Sequence, residues 1–440
     1  MAASTLDVVN LTRNAPLPLR KVLAVALGNA LEFYDFVTFS YFAIQIGHTF
    51  FPASQTSHGL LFSLATFGVG FITRPLGALI IGRYGDRAGR RAAMFWSFGL
   101  MGVALLGMAL TPSYARIGIA APVLLLTFRL LQGLALGGEV GASTAFLVEA
   151  APLHRRGYYV AQQFATQYVA GLAAGVVGFL LSAHLSPAQL DTWGWRIALL
   201  VGVAVIPLGL YIRRTLHETL WDPQPAAETP GQRRVPIKFI VLSLMMVMAG
   251  TTTVYVVGYM NTYVQDTLKL GAHFGFGATI VESLCVICAA PLGGLLSDRL
   301  GRKPVMLAAV ALLLVLVGPC YIAITAWRSL ATVYAATGVF GVLESLMIVP
   351  FLTTIAESLP RAVRSAGFGL VYAVGVAMFG GFTQFIIKAL MELTGNPLAP
   401  AGYLTVALLI GGSAMLVVRE SAPCRGAYQA RCSDLPAATI

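Results

Sequence analysis

Apolar stretches long enough to cross a bilayer recur along the whole of this 440-residue chain. A helix needs about 20 mainly apolar residues to cross the hydrocarbon core of a membrane. We therefore predict an all-α polytopic membrane protein with 12 transmembrane helices. The apolar stretches, numbered as spans 1 to 12, lie at about 20–46, 58–82, 92–112, 119–147, 158–182, 195–215, 237–262, 274–297, 304–325, 330–356, 365–390 and 402–419.

Charged residues are scarce in this chain. Asp, Glu, Lys and Arg make up 11% of it, against about 25% in soluble domains, so the composition excludes a soluble multidomain protein. The five cysteines are too few for a disulfide framework, and the six scattered histidines indicate no metal site. No GxSxG, P-loop or complete HExxH motif is present. We therefore expect no metal, no cofactor and no enzymatic activity.

The basic residues are distributed unevenly between alternate loops. With a cytoplasmic N-terminus, 22 of the 29 Lys and Arg residues fall in inner segments, and the outer loops contain only Arg116, Lys269 and Arg328. Loop Lys and Arg residues set the orientation of membrane proteins, so both termini are predicted to be cytoplasmic. The net charge of +11 is then explained by topology and by attraction to the lipid bilayer. It requires no nucleic-acid partner.

A polar, proline-rich stretch separates span 6 from span 7. It runs from about Thr215 to Pro236 and leaves six spans on each side. We therefore predict two pseudo-symmetric six-helix halves. The predicted units are a cytoplasmic tail at 1–19, an N-terminal six-helix bundle at 20–214, a cytoplasmic linker at 215–236, a C-terminal six-helix bundle at 237–419 and a cytoplasmic tail at 420–440.

A ten-residue pattern occurs in each half, after span 2 and after span 8. GRYGDRAGRR (Gly82–Arg91) and GLLSDRLGRK (Gly294–Lys303) share Gly, Asp-Arg and Gly-Arg at the same spacing. Such a match at corresponding places indicates an internal duplication. A carboxylate in this loop could lie at the positive N-terminus of a neighbouring helix. The candidate gating residues of the two loops are Asp86, Arg87, Arg90, Asp298, Arg299 and Arg302.

Acidic and basic residues also recur just before spans 5 and 11. Glu149 and Arg156 lie seven residues apart, as do Glu357 and Arg364. Arginine binds carboxylates through paired hydrogen bonds. We predict that these residues, together with the repeated loops, form an inner gate that holds one half against the other. The alternative is that the charges only mark the cytoplasmic loops.

Several motifs resemble a known family. The repeated loops look like the signature loop of the major facilitator superfamily, and RLLQG (Arg129–Gly133) resembles its fourth-span motif. GNALEFYDF, RPLGALIIGRYGDRAGRR, RLLQGLALGGEVG and GWRIALLVG are similar to the metabolite:proton symporter branch. TTTVYVVGYMNTYV (Thr251–Val264) and FGGFTQFIIKALMELTGNP (Phe379–Pro397) look most like bacterial citrate and tricarballylate symporters. The resemblance implies the major facilitator fold and a place in the bacterial inner membrane.

Ionisable residues inside spans are costly and therefore mark function. Glu32 and Asp35 share one face of span 1 because they lie three residues apart. Two carboxylates this close resist simultaneous ionisation, so one of them could carry a proton. Glu139 in span 4 and Glu344 in span 10 are further proton-coupling candidates. A salt bridge to a neighbouring helix is the alternative role for the span 1 pair.

Candidate substrate-binding residues come from both halves. Arg129 and Gln132 share a face of span 4, and arginine can grip a carboxylate by two hydrogen bonds. Pairing of Arg129 with Asp35 is the alternative. Lys388, near the outer end of span 11, could instead extend its amine to the membrane surface. Glu344 and Lys388 depart from the citrate-symporter pattern. The remaining substrate-binding candidates are Asn29, Tyr34, Tyr255, Tyr259, Asn261 and Gln384.

The leading hypothesis is secondary active transport. The chain would carry a small organic acid, such as citrate, another tricarboxylate or a dicarboxylate, into the cell with a proton by alternating access. It would act as a monomer. The alternatives are a zwitterionic or aromatic substrate, such as proline, betaine or a shikimate-like acid, and coupling to sodium instead of protons. A membrane enzyme, a sensor and a channel are less compatible with the absence of catalytic and signalling motifs and with the repeated gate.

Overall fold

The computed structural model describes residues 30, 33–34, 36–51, 56–88, 90–136, 144–145, 147–149, 151–203 and 235–423. At 56–57, 82–83, 85–88, 90–94 and 361–362 it gives the backbone alone. Throughout these ranges the regular structure is helical, without strands. Eight helices of this part are long and apolar enough to cross a membrane, and two apolar helices are shorter.

The helices follow the predicted order of spans. In the N-terminal half they are Ala43–Phe50 in span 1, Thr56–Val69 and Arg74–Ala88 in span 2, Arg90–Leu110 in span 3, Ala120–Ala135 in span 4 and Arg156–His184 in span 5, and residues 195–203 of span 6 are helical. In the C-terminal half they are Ile237–Gly258, Ala272–Leu300, Arg302–Trp327, Leu330–Ser358, Arg361–Gly375 with Thr383–Thr394, and Ala399–Val417. Most of the predicted linker, up to residue 234, lies outside the described residues.

Span 2 is interrupted near its middle. Pro75 has no N–H group, and its ring collides with the carbonyl group four residues earlier, that of Phe71. The chain therefore tightens into short turns, in which the N–H groups of Phe71 and Arg74 donate to Gly68 O (3.0 Å) and Phe71 O (3.2 Å). This break fixes the positions of the Phe71 and Arg74 side chains.

Span 11 has a corresponding interruption, and its backbone contacts span 2 next to the interruption there. Residues Val376–Gly380 form a π-helical turn, in which Gly381 N–H donates to Val376 O (3.0 Å). Gly381 lies against Gly68 of span 2, so closely that a Cβ on Gly68 would stand 2.8 Å from Gly381 O. Wide turns of this kind are frequent at functional sites. The contact brings the two halves together next to the span 2 break.

Spans 5 and 8 form an extensive interface between the halves. Glycines allow the two backbones to approach closely, as is usual for helices that pack within membranes. At the end that the loop charges predict to be cytoplasmic, a Cβ on Gly294 would lie 2.7 Å from Gly157 O and 2.8 Å from Tyr158 Cα. These are backbone atoms and cannot move aside. The close contact therefore exists only while the cytoplasmic ends of the halves are together.

We expect Gly294→Ala to shift the protein towards a state open to the cytoplasm. Overpacking costs about 1–3 kcal/mol, and this cost falls on the closed state, so the ratio of open to closed protein should rise roughly 5- to 150-fold. The measurement is maleimide labelling of a cysteine placed at Ser297, a fully buried position, in a background without the native cysteines. Gly318→Ala is the matched control, because a Cβ there meets nothing within 4 Å. Equal labelling rates in the two variants would contradict the expectation.

Candidate functional site

A buried arginine lies between the rings of several aromatic residues near the middle of span 4. Arg129 has no solvent exposure and stands about 14 Å along its helix, counted from Ala120. Its guanidinium carbon lies 4.2 Å from the ring centroid of Phe39, 4.8 Å from that of Phe36 and 4.9 Å from that of Phe67. It also donates a hydrogen bond to Oε1 of Gln132, one turn further along. Cation–π contacts of desolvated arginines contribute about 2 kcal/mol.

A second buried arginine uses the same ring. Arg74, which is 7% exposed, lies 4.3 Å from the centroid of Phe36 and 4.2 Å from that of Phe71. Arg74 and Arg129 thus both contact Phe36. Two guanidinium groups this close, in a region of low dielectric constant, attract anionic groups.

The local fold explains how span 2 and span 4 hold Arg129. A Cβ on Gly70 would lie 3.2 Å from Cγ of Arg129, so glycine leaves room for the arginine. Gly133 packs directly on the backbone at Gly70. Thr73 of span 2 donates to Leu130 O of span 4 (2.8 Å). The break in span 2 is therefore tied to the helix that carries the arginine.

Residues of the C-terminal half border this arginine cluster. The Tyr255 ring meets Phe67 and Phe71 edge to face, with centroids 5.9 Å and 5.6 Å away. Gln384 accepts a hydrogen bond from Ser40 of span 1 (2.9 Å) and donates to Tyr255 O (3.4 Å). The structure thus brings the predicted residues of spans 7 and 11 to spans 1 and 2.

Asn261 joins the halves at another point of span 1. Its side-chain amide donates to Tyr41 O (2.8 Å), and its own Oδ1 accepts from Gln265 (2.8 Å). Gln265 in turn lies 3.5 Å from Gln45 of span 1. These amides connect the halves on the outer side of the arginine cluster.

Two other predicted substrate-binding residues have different neighbours. Tyr34 donates to Ala198 O of span 6 (3.1 Å). The ring of Tyr259 packs against that of Tyr263, with centroids 6.5 Å apart.

Lys388 lies in a cluster of ion pairs at the outer end of span 11. Its amine is 2.6 Å from Asp266 and 3.3 Å from Glu392. Glu392 also stands 3.9 Å from His58, at the outer end of span 2. Lys388 therefore extends neither to lipid nor to the arginine cluster. Its neighbours are acidic residues at the outer contact between the halves.

Glu344 is fully buried in span 10 and accepts a hydrogen bond from the hydroxyl group of Tyr168, in span 5 of the other half. A second buried acid, Glu282 of span 8, lies within electrostatic reach of it. The sequence analysis missed Glu282. The rule that selected Glu344, an ionisable residue inside an apolar stretch, would also have selected Glu282.

Four predicted residues, Asn29, Glu32, Asp35 and Glu139, lie outside the described residues. The same is true of the side chains of Asp86, Arg87 and Arg90 in the first repeated loop, although these three positions are helical. Their proposed roles stay predictions.

The second repeated loop joins the halves on the side predicted to be cytoplasmic. The carboxylate of Asp298 accepts hydrogen bonds from the N–H groups of Gly157 and Tyr158, both at 2.9 Å. Because they lie in the first turn of span 5, these N–H groups have no acceptor within their own helix. A carboxylate there also interacts favourably with the positive end of the helix. Asp298 thus has the kind of partner predicted for it.

Arg302 forms the centre of this gate. It is fully buried and lies 2.5 Å from Asp298 and 3.3 Å from Glu357. Arg156 of the other half is 3.8 Å from the same carboxylate of Glu357. Arg299, by contrast, is exposed and makes no ion pair with any described residue. The structure therefore does not place Arg299 in the gate network.

Two ion pairs at the gate connect residues of opposite halves. Arg364 binds Glu149 (3.0 Å), whereas Arg156 approaches Glu357. The partners are therefore exchanged relative to their sequence neighbours, as a gate between halves requires. The interaction of Arg364 is the more solvated of the two, because 45% of the Glu149 side chain is exposed.

The segment after span 12 also contributes to the gate, and sequence reasoning missed it. Glu420 accepts hydrogen bonds from the N–H groups of Arg302 (2.9 Å) and Lys303 (3.0 Å) and so caps span 9. Ser421 donates to Glu357 (2.7 Å). No sequence motif signals these contacts, because they depend on how span 12 ends against span 9.

Known proteins resemble this chain over most of its length. The family model described as Major Facilitator Superfamily matches residues 25–383. The citrate-proton symporter of Klebsiella pneumoniae is 36% identical over 406 residues, or 89% of each chain. The alpha-ketoglutarate permease of Escherichia coli (strain K12) is 33% identical over 381 residues, 84% of this chain and 87% of that one. A crystal structure of a D-xylose-proton symporter shares the fold, with a TM-score of 0.75 at 17% identity over 92% of this chain and 98% of that one. This chain belongs to the major facilitator superfamily.

Proposed function

We propose that this protein carries a small organic acid anion into the cell together with a proton, by alternating access. Citrate and α-ketoglutarate, which appear in the names of its relatives, define the substrate class as di- and tricarboxylates. We further propose that it acts as a monomer in the bacterial inner membrane with both termini in the cytoplasm, the orientation that its loop charges favour.

The observation that carries this proposal is the pair of buried arginines on the ring of Phe36. Arg129 and Arg74 place two guanidinium groups at the contact between the halves, beside Tyr255. A guanidinium group can bind a carboxylate by two parallel hydrogen bonds. A substrate with two or three carboxylates can engage both arginines. Gln384 and Ser40 lie at the same contact.

The arrangement of the gates is consistent with alternating access. In this structure the halves touch on the cytoplasmic side through Asp298 and Glu357, and on the outer side through Gln265 and Glu392. The arginine cluster is enclosed between these contacts. Breaking the contacts on one side at a time would expose the cluster alternately to the outside and the inside.

A zwitterion such as proline or betaine is the second candidate substrate, because aromatic rings can bind a quaternary ammonium group. In this structure the rings of Phe36, Phe39 and Phe67 already contact guanidinium groups. An anion therefore suits the site better. The same transport assay separates the two classes of substrate.

Uptake by proteoliposomes tests the proposal. We expect an inward proton gradient to drive accumulation of radiolabelled citrate or α-ketoglutarate. For each coupled proton, a gradient of one pH unit supports about tenfold accumulation. Sodium gradients, proline and betaine serve as parallel arms, and a protonophore should abolish the accumulation. Uptake that does not depend on the pH gradient, or that depends on a sodium gradient alone, would contradict proton symport.

A further inference from the structure

Two buried acids meet where spans 8 and 10 approach each other. Glu282 is 3% exposed and Glu344 is fully buried. Gly341 allows the close approach, because a Cβ there would lie 3.2 Å from Glu282 O. Glu344 follows Gly341 by three residues, so it stands about 4.5 Å nearer the cytoplasm than the level of Glu282. The two residues thus lie at successive levels of the predicted transport direction.

Residues of the N-terminal half contact this pair of acids and its neighbours. The hydroxyl group of Tyr168 in span 5 donates to one oxygen of Glu344. One turn further out, Gly171 faces both Ser283 and Tyr41, because its Cβ would lie 3.0 Å from the Ser283 hydroxyl oxygen and 3.2 Å from that of Tyr41. The site therefore lies on the contact between the halves.

Two polar atoms at the site have no hydrogen-bond partner within the described part of the chain. They are the second carboxyl oxygen of Glu344 and the hydroxyl oxygen of Ser283, and both residues are completely buried. Buried polar groups in native proteins are almost always satisfied, so such atoms indicate a ligand. Protonation would remove the charge of the Glu344 carboxyl group, which is the main cost of burying it, and would give the unpartnered oxygen a hydrogen to donate.

The charges around Glu282 and Glu344 also favour a bound proton. No described Lys or Arg forms an ion pair with either acid. The titratable groups that face the pair are Tyr41 from span 1, Tyr168 from span 5 and Cys285 from span 8, with Tyr255 of span 7 beyond Tyr41. None of these is cationic. Two carboxylates with no cationic partner among the described residues are disfavoured as an ionised pair, because burying even one charge costs several kcal/mol.

We propose that Glu282 and Glu344 form the proton-carrying site of this transporter. This inference rests on the proposed proton symport and names the groups that carry its proton. A proton adds to a carboxylate oxygen of the pair and is later lost to water, and no other bond forms or breaks. Because Tyr168 belongs to the opposite half, its hydrogen bond to Glu344 is made or lost as the halves move. Proton release is thereby linked to the conformational change.

This placement separates the proton from the substrate. The buried arginines lie in the N-terminal half, in spans 2 and 4, whereas the acid pair lies in the C-terminal half, in spans 8 and 10. The carboxylates of Asp35 and Glu32 in span 1 are the rival carriers.

The test uses the double variant Glu282→Gln and Glu344→Gln of the full chain in proteoliposomes. Glutamine resembles a protonated carboxyl group but cannot release a proton. We expect citrate or α-ketoglutarate accumulation under a one-unit pH gradient to fall from about tenfold to none, while counterflow of the same substrate at equal pH persists. Glu228→Gln, in the predicted linker, makes the same chemical change outside the spans and should leave both activities unchanged.

Each outcome leads to one conclusion. Retention of proton-driven accumulation by the double variant would overturn the inference and assign the proton to another carboxylate, such as Asp35. Loss of counterflow as well would also overturn it, because the pair would then bind substrate or maintain the fold. If wild-type protein shows no response to the proton gradient, the proposed function itself fails, and this result is seen before any variant is made.

Discussion

Replacing Arg129 with Gln is expected to abolish substrate binding as well as transport. Arg129 is fully buried at the contact between the halves, where water cannot replace its interaction with an anion. Removing one partner of a buried, hydrogen-bonded charge pair costs about 2–5 kcal/mol, which corresponds to a roughly 30- to 5,000-fold loss of affinity. Equilibrium binding of radiolabelled citrate and α-ketoglutarate to purified protein measures this loss directly.

Two further variants interpret the result for Arg129. Arg129→Lys keeps the charge but loses the planar, two-pronged donor, so we expect its affinity to fall between those of the wild type and the Gln variant. Arg116→Gln is the matched control, because it removes an exposed arginine from an outer loop. If Arg129→Gln binds substrate as tightly as the wild type, Arg129 is not part of the site.

The largest conformational effect is expected from Arg302→Gln. Arg302 lies between Asp298 and Glu357, whose side chains are each only 4% exposed. Breaking a buried ion pair by removing one partner costs about 3–5 kcal/mol, because the remaining charges are left without compensation. Opening of the cytoplasmic side would return both carboxylates to water, so this cost applies to the closed state alone. The variant should therefore be mainly open to the cytoplasm.

Distances between spin labels on the cytoplasmic ends of spans 5 and 8 measure this shift. Arg364→Gln is the control, because its partner Glu149 is 45% exposed and ion pairs with exposed partners contribute about 1 kcal/mol or less. We expect a clear increase in distance for Arg302→Gln and a small one for Arg364→Gln. Equal distances in Arg302→Gln and wild-type protein would show that Arg302 does not stabilise the closed gate.

The fold class follows from local properties of the sequence, and its prediction is confirmed by the family match and the shared fold. The repeated loop also predicted that Asp298 meets a helix N-terminus, as it does at Gly157 and Tyr158. Which residue pairs with which could not be predicted in the same way. The exchange of partners between Glu149 and Arg156 and between Glu357 and Arg364 depends on how the halves meet, and sequence spacing contains no such information.

The candidate site shows the same division. Arg129 stood out in the sequence because an apolar helix has no need of an arginine. Its contacts with Phe36, Phe39 and Phe67 depend on how spans 1, 2 and 4 pack against each other. Lys388 also stood out, yet Asp266 and Glu392 bind it at the outer end of the molecule. The identity of a charged residue is local, whereas its partner is chosen by packing.

The sequence alone determined that this chain crosses a membrane many times, in two related halves, with few intramembrane charges to carry its function. These properties depend on the free energy of transferring side chains and backbone into lipid, which is determined separately for each segment by its own residues. Only the tertiary structure decided which charges meet. Glu282 lies near Glu344, and Glu344 accepts a hydrogen bond from Tyr168, 176 positions away in the sequence. Such distant side chains come together because small residues allow the helices to pack closely.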